Sequence, residues 1–385
     1  MDPGIPTELL LLRQTVRRFV REFLAPHERE VDEQDHFPES LARQLRHRAV
    51  ALGVFGYNMP ETVGGPGLSA FAQTLVNEEL GATSVPLSRT LGHLPGSLLF
   101  ANASQMDWLV RPLMAGDSLI TYALTEPDAG SDLGSLRTRA ARGEGGWLLN
   151  GRKQFISDAG ASDHIVVLAR TAADAPLKSR FTTFIVSRAN PGLVDMSRFK
   201  TLGWRGSELN AFALADCFVP DTHVLGEVGE GFRSIMATVN SDRLRVASKC
   251  VGLATRAHLL SMTYASERST FGARLADHQA IQMMIADSDT EIAAARALTH
   301  AAASLADGSD PSFRIAASRA KLYASEMAGR VTDRAMQIFG GAGYTQDIVI
   351  ERLFRDARAY RFGEGTSEMQ RIQIARHAIR DIASY

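Results

Sequence analysis

From Gly229 to the C-terminus, apolar residues recur at helical spacing almost without a break. No other feature of this 385-residue chain constrains its fold as tightly. Phe232, Ile235, Met236 and Val239 open one helix, which the pattern carries past Leu253 toward Ala265. His278–Leu305, Pro311–Phe339 and Ser367–Ile382 supply three more, each alanine-rich and striped with apolar residues. Helices of this length joined by short connections pack as an antiparallel bundle, so residues 229–385 are expected to form a four-helix-type bundle.

Upstream, two further textures divide the chain. Residues 1–117 read as a helical domain. Leu9, Leu12, Val16, Phe19, Val20 and Phe23 recur at helical spacing until Pro26 stops them, a second helix runs from near Pro38 to before Gly53, and Ser69 caps a third that reaches Leu80. Residues 118–228 change character. Ser118–Leu124, Gly146–Ser157, Asp163–Arg170 and Phe181–Ser187 are rich in β-branched and aromatic residues, and Asn150-Gly151 is read as a hairpin turn. Strands joined by turns without intervening helices predict an antiparallel β-domain, so the fold class is α+β in the order helical, β, helical bundle.

Composition removes several classes of function. A formal net charge of -1 gives no global attraction to nucleic acid or to an anionic membrane. No apolar run approaches a membrane span, and Arg13, Arg17, Arg18 and Arg21 interrupt the leading amphipathic helix. Two distant cysteines, Cys217 and Cys250, make neither a disulfide framework nor a metal-spaced pair, and the scattered histidines suggest no metal site. A cytoplasmic protein is expected.

One octet stands out chemically, Arg361-Phe-Gly-Glu364-Gly-Thr-Ser-Glu368. A carboxylate between Gly363 and Gly365 leaves backbone and ligand free to approach each other, and burial beside an apolar ligand would suit it to accept a proton. Taken alone, the same residues also describe a helix start, with Thr366 or Ser367 as cap and Glu364 or Glu368 answering the dipole.

Two further stretches decide between these readings. Ala123-Leu-Thr-Glu-Pro-Asp-Ala-Gly-Ser-Asp132 and Gln337-Ile-Phe-Gly-Gly-Ala-Gly-Tyr344 resemble the two signatures of the acyl-CoA dehydrogenases. Phe362–Glu368 is similar to the segment that carries the catalytic glutamate in most members. Gln154–Ser157, Gly229–Phe232, Asp242-Arg243, Glu267–Gly272 and His278-Gln279 match as well, so the resemblance covers nearly the whole chain.

The resemblance implies FAD, an acyl-CoA thioester, and Glu364 as the base that takes the α-proton while the β-hydride leaves for the flavin. It also implies that the Glu364 N–H and a flavin hydroxyl bind the thioester oxygen. Tyr122, Leu124, Thr125 and Ser131 correspond to the strand and turn along the flavin. Phe155, Ile156 and Ser157 correspond to the segment against its ring, where phenylalanine stands in place of the usual tryptophan. Arg268, Phe271, Gln279, Gln337, Gly340 and Gly341 resemble residues that reach the FAD of a neighbouring subunit, which implies at least a dimer and, by family habit, a homotetramer. Thr366 and Glu368 correspond to FAD contacts after the base. Ser131, Asn240, Asp242, Arg243 and Gly365 fall on the substrate side. An electron-transfer flavoprotein is the implied acceptor.

Two departures bear on substrate and base. Some members carry the base immediately before the arginine that is Arg243 here, where this chain has Asp242, but Glu364 occupies the usual place. Gly363 stands where many straight-chain members have tyrosine, which predicts a wider acyl site. The same residues also accommodate a dehydrogenase of carrier-protein thioesters, an oxidase, or a silent flavin-binding relative.

Overall fold

In the computed structural model, which describes residues 4–382, the N-terminal segment folds into α1 (Thr7–Phe19), α2 (Glu28–Gln34), α3 (Glu39–Ala51) and α4 (Ala70–Gly81), with short turns of helix between them. The expected Ser69 cap is present, its Oγ accepting the Ala72 N–H at 3.1 Å. Pro38 takes the N-cap of α3. The short α2 escapes the periodicity because Val31 is its only buried apolar residue. Glu28 and Asp32, buried beside it, are acids.

The middle block is one eight-stranded sheet of β1 (Ile120–Ala123), β2 (Arg139–Gly143), β3 (Gly146–Ser157), β4 (His164–Arg170), β5 (Phe181–Ser187), β6 (Leu193–Arg198), β7 (Leu209–Pro220) and β8 (Val224–Leu225). Its order is β6-β7-β3-β2-β4-β5-β8, with β1 alongside β4. Most ladders are antiparallel as expected. However, β1 runs parallel to β4, and β2 meets β4 in parallel at Arg139 and Arg170. The β2–β3 hairpin is the crossover between β1 and β4 that parallel pairing requires.

The hairpin turn itself is not at Asn150-Gly151. Gly143 pairs with Gly146, so the two-residue loop is Glu144-Gly145, with Gly145 at φ +69°. Asn150 lies inside β3 at a register shift against β7, where its amide exchanges two hydrogen bonds with Asp216.

Successive residues of β4 and β5 face opposite ways, and both faces are covered. Ile165, Val167, Phe184 and Val186 join the sheet core with Leu149 and Phe212. Val166 and Ile185 pack on Leu98, Leu109 and Val110 from the N-terminal block, while Leu168 and Phe181 meet Phe232 and Ile235 of the bundle. Central strands buried on both faces account for the unbroken apolar runs seen in the sequence.

The bundle comprises α5 (Gly231–Glu267), α6 (Gln279–Asp307), α7 (Phe313–Phe339), α8 (Ile350–Ala359) and α9 (Ser367–Asp381). A small hairpin of β9 (Ser269–Thr270) and β10 (Ala273–Arg274) follows α5. The short α8 was not anticipated. It turns Ile350, Leu353 and Ala357 to the core while its arginines reach the N-terminal block.

Where α4 crosses α5 the backbones touch. A Cβ on Gly81 would stand 2.2 Å from the Lys249 carbonyl oxygen, and one on Gly252 would stand 1.8 Å from that of Glu78. That close crossing delivers the chain after α4, residues 85–93, onto one face of α5.

Candidate active site

The Glu364 turn begins where α8 runs out. Gly363 donates to the Ala359 carbonyl, and Thr366 caps α9 by accepting the Met369 N–H at 3.3 Å. Between them Glu364 takes φ +55° and Gly365 φ +88°. A left-handed glutamate is held against a cost of roughly 1–2 kcal/mol, and two buried side chains hold it. Lys321 Nζ donates to the Gly365 carbonyl at 2.7 Å, and Gln370 Nε2 donates to the carbonyls of Glu364 and Gly365 at 3.2 and 3.1 Å. Burial lowers the Lys321 ammonium to about 8. The Glu364 N–H has no backbone acceptor among the described residues, so it is available to a ligand.

A methyl group at Gly365 would stand 2.7 Å from Gln370 Nε2 in a backbone conformation that L-residues resist. Gly365→Ala is therefore expected to cost about 1–2 kcal/mol of stability and to lower turnover more than tenfold (roughly 1.4 kcal/mol) by displacing Glu364. A thermal melt and a rate measured side by side check this. Unchanged turnover would show that the turn geometry does not matter.

The Glu364 carboxylate meets the β-domain directly. Tyr122 Oη donates to Glu364 Oε1 at 2.8 Å, and Arg245 Nη2 lies 3.1 Å from the same oxygen. The negative charge of Glu364, followed by burial, raises the Tyr122 phenol well above its ordinary range, so Tyr122 stays protonated and donates. Arg245 Nε is also 3.4 Å from Asp242 Oδ1, and His93 Nε2 is 3.5 Å from the same atom. Burial and then the nearby charge of Glu364 push the Asp242 carboxyl up to about 7. One guanidinium thus spans both candidate carboxylates.

Further along the same face of α5, buried Lys249 donates from Nζ to Ser88 Oγ at 2.9 Å. Neighbouring Arg89 is paired with Asp158. Spacings of three and four residues put Asp242, Arg245 and Lys249 on one helix face. For Arg245 and Lys249 the only signal in the sequence is charge at that spacing in a helix otherwise flanked by Leu244, Val246, Ala247 and Cys250.

The residues expected along the flavin gather at the ends of β1 and β3. Thr121 Oγ1 donates to the Ser157 carbonyl at 2.8 Å, and the Gln154 N–H donates to the Thr125 carbonyl at 3.0 Å. Lys153, also unforeseen, ties the turn from beneath by donating to the Leu124 carbonyl, the Leu168 carbonyl and Glu126. Glu126 in turn accepts the N–H groups of Arg137 and Thr138. Phe155 is not strand core. It has φ +57° at a register shift, is 53% exposed, and leans on Phe199, while Ile156 is buried. The half-buried hydroxyls of Thr125 and Ser157 have no hydrogen-bond partner among the described residues, and Ser131 is exposed. An open aromatic face beside free donors fits a flavin ring.

The remaining expected residues stand apart from this cluster. Arg243 is buried on another side of α5, where Nη1 contacts Asn240, Ser318 and Gln373. Arg268, Phe271, Gln279, Gln337, Gly340 and Gly341 are exposed, on the β9–β10 hairpin, the start of α6 and the end of α7. Phe271 is bare at the hairpin tip, and nothing lies within 4 Å of where a Cβ on Gly340 or Gly341 would stand. That open backbone could approach a diphosphate. Glu368 is exposed in the first turn of α9. Gly363 also faces space, the Ala359 oxygen at 4.0 Å being the nearest atom to an added Cβ.

Comparison with known proteins places these features in a group. Residues 6–117, 121–217 and 229–379 match, in turn, the family descriptions acyl-CoA dehydrogenase N-terminal, middle and C-terminal domain. The chain is 37% identical over 387 residues to the human short-chain specific acyl-CoA dehydrogenase, mitochondrial, covering 99% of this chain and 92% of that one. It is 35% identical to the probable acyl-CoA dehydrogenase YngJ of Bacillus subtilis, covering 99% and 100%. Among solved structures, butyryl-CoA dehydrogenase from Megasphaera elsdenii matches with a TM-score of 0.90 at 30% identity, covering 98% and 100%.

Proposed function

This chain belongs to the acyl-CoA dehydrogenase family, and on that premise we propose that it oxidises a saturated acyl-CoA to the trans-2-enoyl thioester with Glu364 as the base. The observation that carries the reading is the bond from Tyr122 Oη to Glu364 Oε1. It joins the only carboxylate on the glycine-flanked turn to the strand that leads into the flavin-facing residues.

The cofactor is FAD, which when bound supplies the acceptor for the β-hydride. Leu124, Thr125, Phe155 and Ser157 would hold its ring system. The chain's own share of the chemistry lies in position and charge. The Glu364 carboxylate takes the α-proton, Tyr122 fixes its orientation, and the unoccupied Glu364 N–H donates to the thioester oxygen as negative charge develops there. Asp242 is an ion-pair partner of Arg245 rather than the base in this reading.

Exposed Phe271, with Arg268, Gln279, Gln337, Gly340 and Gly341 around open space, supports a cofactor site completed by a second subunit, and the family resemblance extends that dimer to a dimer of dimers. The resemblance supports an electron-transfer flavoprotein as acceptor. Among the described residues no helix is long and apolar enough to cross a membrane.

Anaerobic titration of the FAD-loaded protein with a panel of saturated acyl-CoAs tests the proposal. Bleaching of the flavin band, with one enoyl-CoA formed per flavin, is the expected result. A panel without any bleaching would refute it.

A further inference from the structure

We infer that the acyl group accepted here ends in a carboxylate, bound by Arg245 and Lys249 on α5. The inference rests on the reading of Glu364 as the base and adds the class of substrate.

The side chains gathered near that base are charged or polar where a hydrocarbon tail would want an apolar wall. Arg245 touches Glu364, Asp242 lies on Arg245, and His93 lies on Asp242. Lys249 follows on the same helix face, with Ser88 and Arg89 delivered opposite it by the close α4–α5 crossing. An alkyl chain laid among these groups would strip the remaining water from Arg245 and offer no polar partner to it or to Lys249.

The charge pairing points to the class of ligand. Arg89 is matched by Asp158, whose other oxygen accepts the Glu208 N–H. Arg245 is matched by Asp242 and Glu364. Lys249 is only 4% exposed, and among the described residues its one hydrogen-bond partner is the neutral hydroxyl of Ser88. An ammonium held there without an anion would cost several kcal/mol as a rule. Burial, followed by the charges of Arg245 and Arg89, disfavours its ammonium form, and an arriving carboxylate would reverse that.

The spacing suits a short dicarboxylic acyl group. Lys249 stands one helical turn, about 6 Å along the axis, beyond Arg245. A carboxylate a few carbons past the β-position would therefore reach one cation or lie between the two. Its arrival has a second consequence. Arg245 now occupies Glu364, and a ligand carboxylate that draws the guanidinium away leaves Glu364 bonded by Tyr122 alone and free to take the α-proton. Recognition of the tail and release of the base then run through one side chain.

The test uses FAD-loaded protein and matched pairs of thioesters: butyryl-CoA with succinyl-CoA, valeryl-CoA with glutaryl-CoA, and hexanoyl-CoA with adipyl-CoA. Flavin bleaching and steady-state rates are read for each, and calorimetry on Glu364→Gln protein gives binding without turnover. In at least one pair the carboxylated member is expected to exceed its neutral partner about tenfold in kcat/KM and in affinity, equivalent to ~1.4 kcal/mol. Lys249→Gln, which leaves the Glu364 contacts in place, and Arg245→Gln are each expected to remove most of that preference with FAD retained. Equal or better use of the neutral partner in every pair overturns the inference, as does a preference untouched by both variants. Bleaching by neutral thioesters alone overturns the carboxylate and leaves the dehydrogenase standing. Bleaching by none of the six overturns both.

Discussion

Replacing Glu364 by glutamine is expected to slow flavin reduction by about 10²- to 10⁴-fold, the usual contribution of a positioned general base, while FAD and acyl-CoA remain bound. The amide fills the same volume and can still accept from Tyr122, so the turn held by Lys321 and Gln370 has no reason to collapse. What it cannot do is accept a proton. Asp242→Asn is the control, because Asp242 shares Arg245 with Glu364, and burial and the Glu364 charge push its carboxyl up to about 7. Its loss is expected to be the smaller of the two. Rapid-mixing measurement of flavin reduction with one substrate across both variants decides the matter. A Glu364→Gln protein that keeps more than about a tenth of the wild-type rate (a change under 1.4 kcal/mol) would hand the base to Asp242.

Glu28→Gln is expected to destabilise the fold by about 3–5 kcal/mol, the cost of stranding buried charge. Glu28 ties the N-terminal block to the bundle at two points. Arg256 of α5 forks onto its two oxygens at 2.7 and 2.9 Å, Arg352 of α8 stands 2.9 Å away, and Thr83 donates at 2.6 Å. Burial opposes ionisation, yet the Arg352 charge and the Arg256 hydrogen bond and charge outweigh it and lower the carboxyl from 4.5 to about 2. A carboxyl depressed in the folded state adds stability above its unfolded value and surrenders it as pH falls. Here about 3 kcal/mol is present above pH 4.5 and disappears between there and pH 2. Denaturant midpoints for wild type and Glu28→Gln across that range measure both effects. A variant within about 1 kcal/mol of wild type at pH 7, the size of an exposed ion pair, would show that the pair is not buried in solution.

Much of the architecture was legible because each block carries its own period. The long stripes from Gly229 predicted four helices that are all present, and Ser69 marked its helix start correctly. Other elements were hidden for physical reasons. The helix Ile350–Ala359 is short, and its polar residues are buried in ion pairs such as Arg355 with Asp32 at 2.7 Å, so outward polarity was no guide. Asn150-Gly151 has the composition of a turn but serves a bulge, because the register of β3 is set by β7 across the sheet. Phe155 was legible as a residue type. Its exposure follows from a left-handed backbone at the register shift between Lys153 and Ile156.

By itself the sequence determined the order of the three blocks, the family, and the glutamate between two glycines. These are local properties, written in spacing and in short motifs. Only the tertiary structure decided what surrounds Glu364. Tyr122 comes to it from 242 positions away and Arg245 from 119, while Lys249 and Arg89 gather where Gly81 and Gly252 let two helices touch. Coulomb and hydrogen-bond energies depend on distances through space, which periodicity along a chain does not encode.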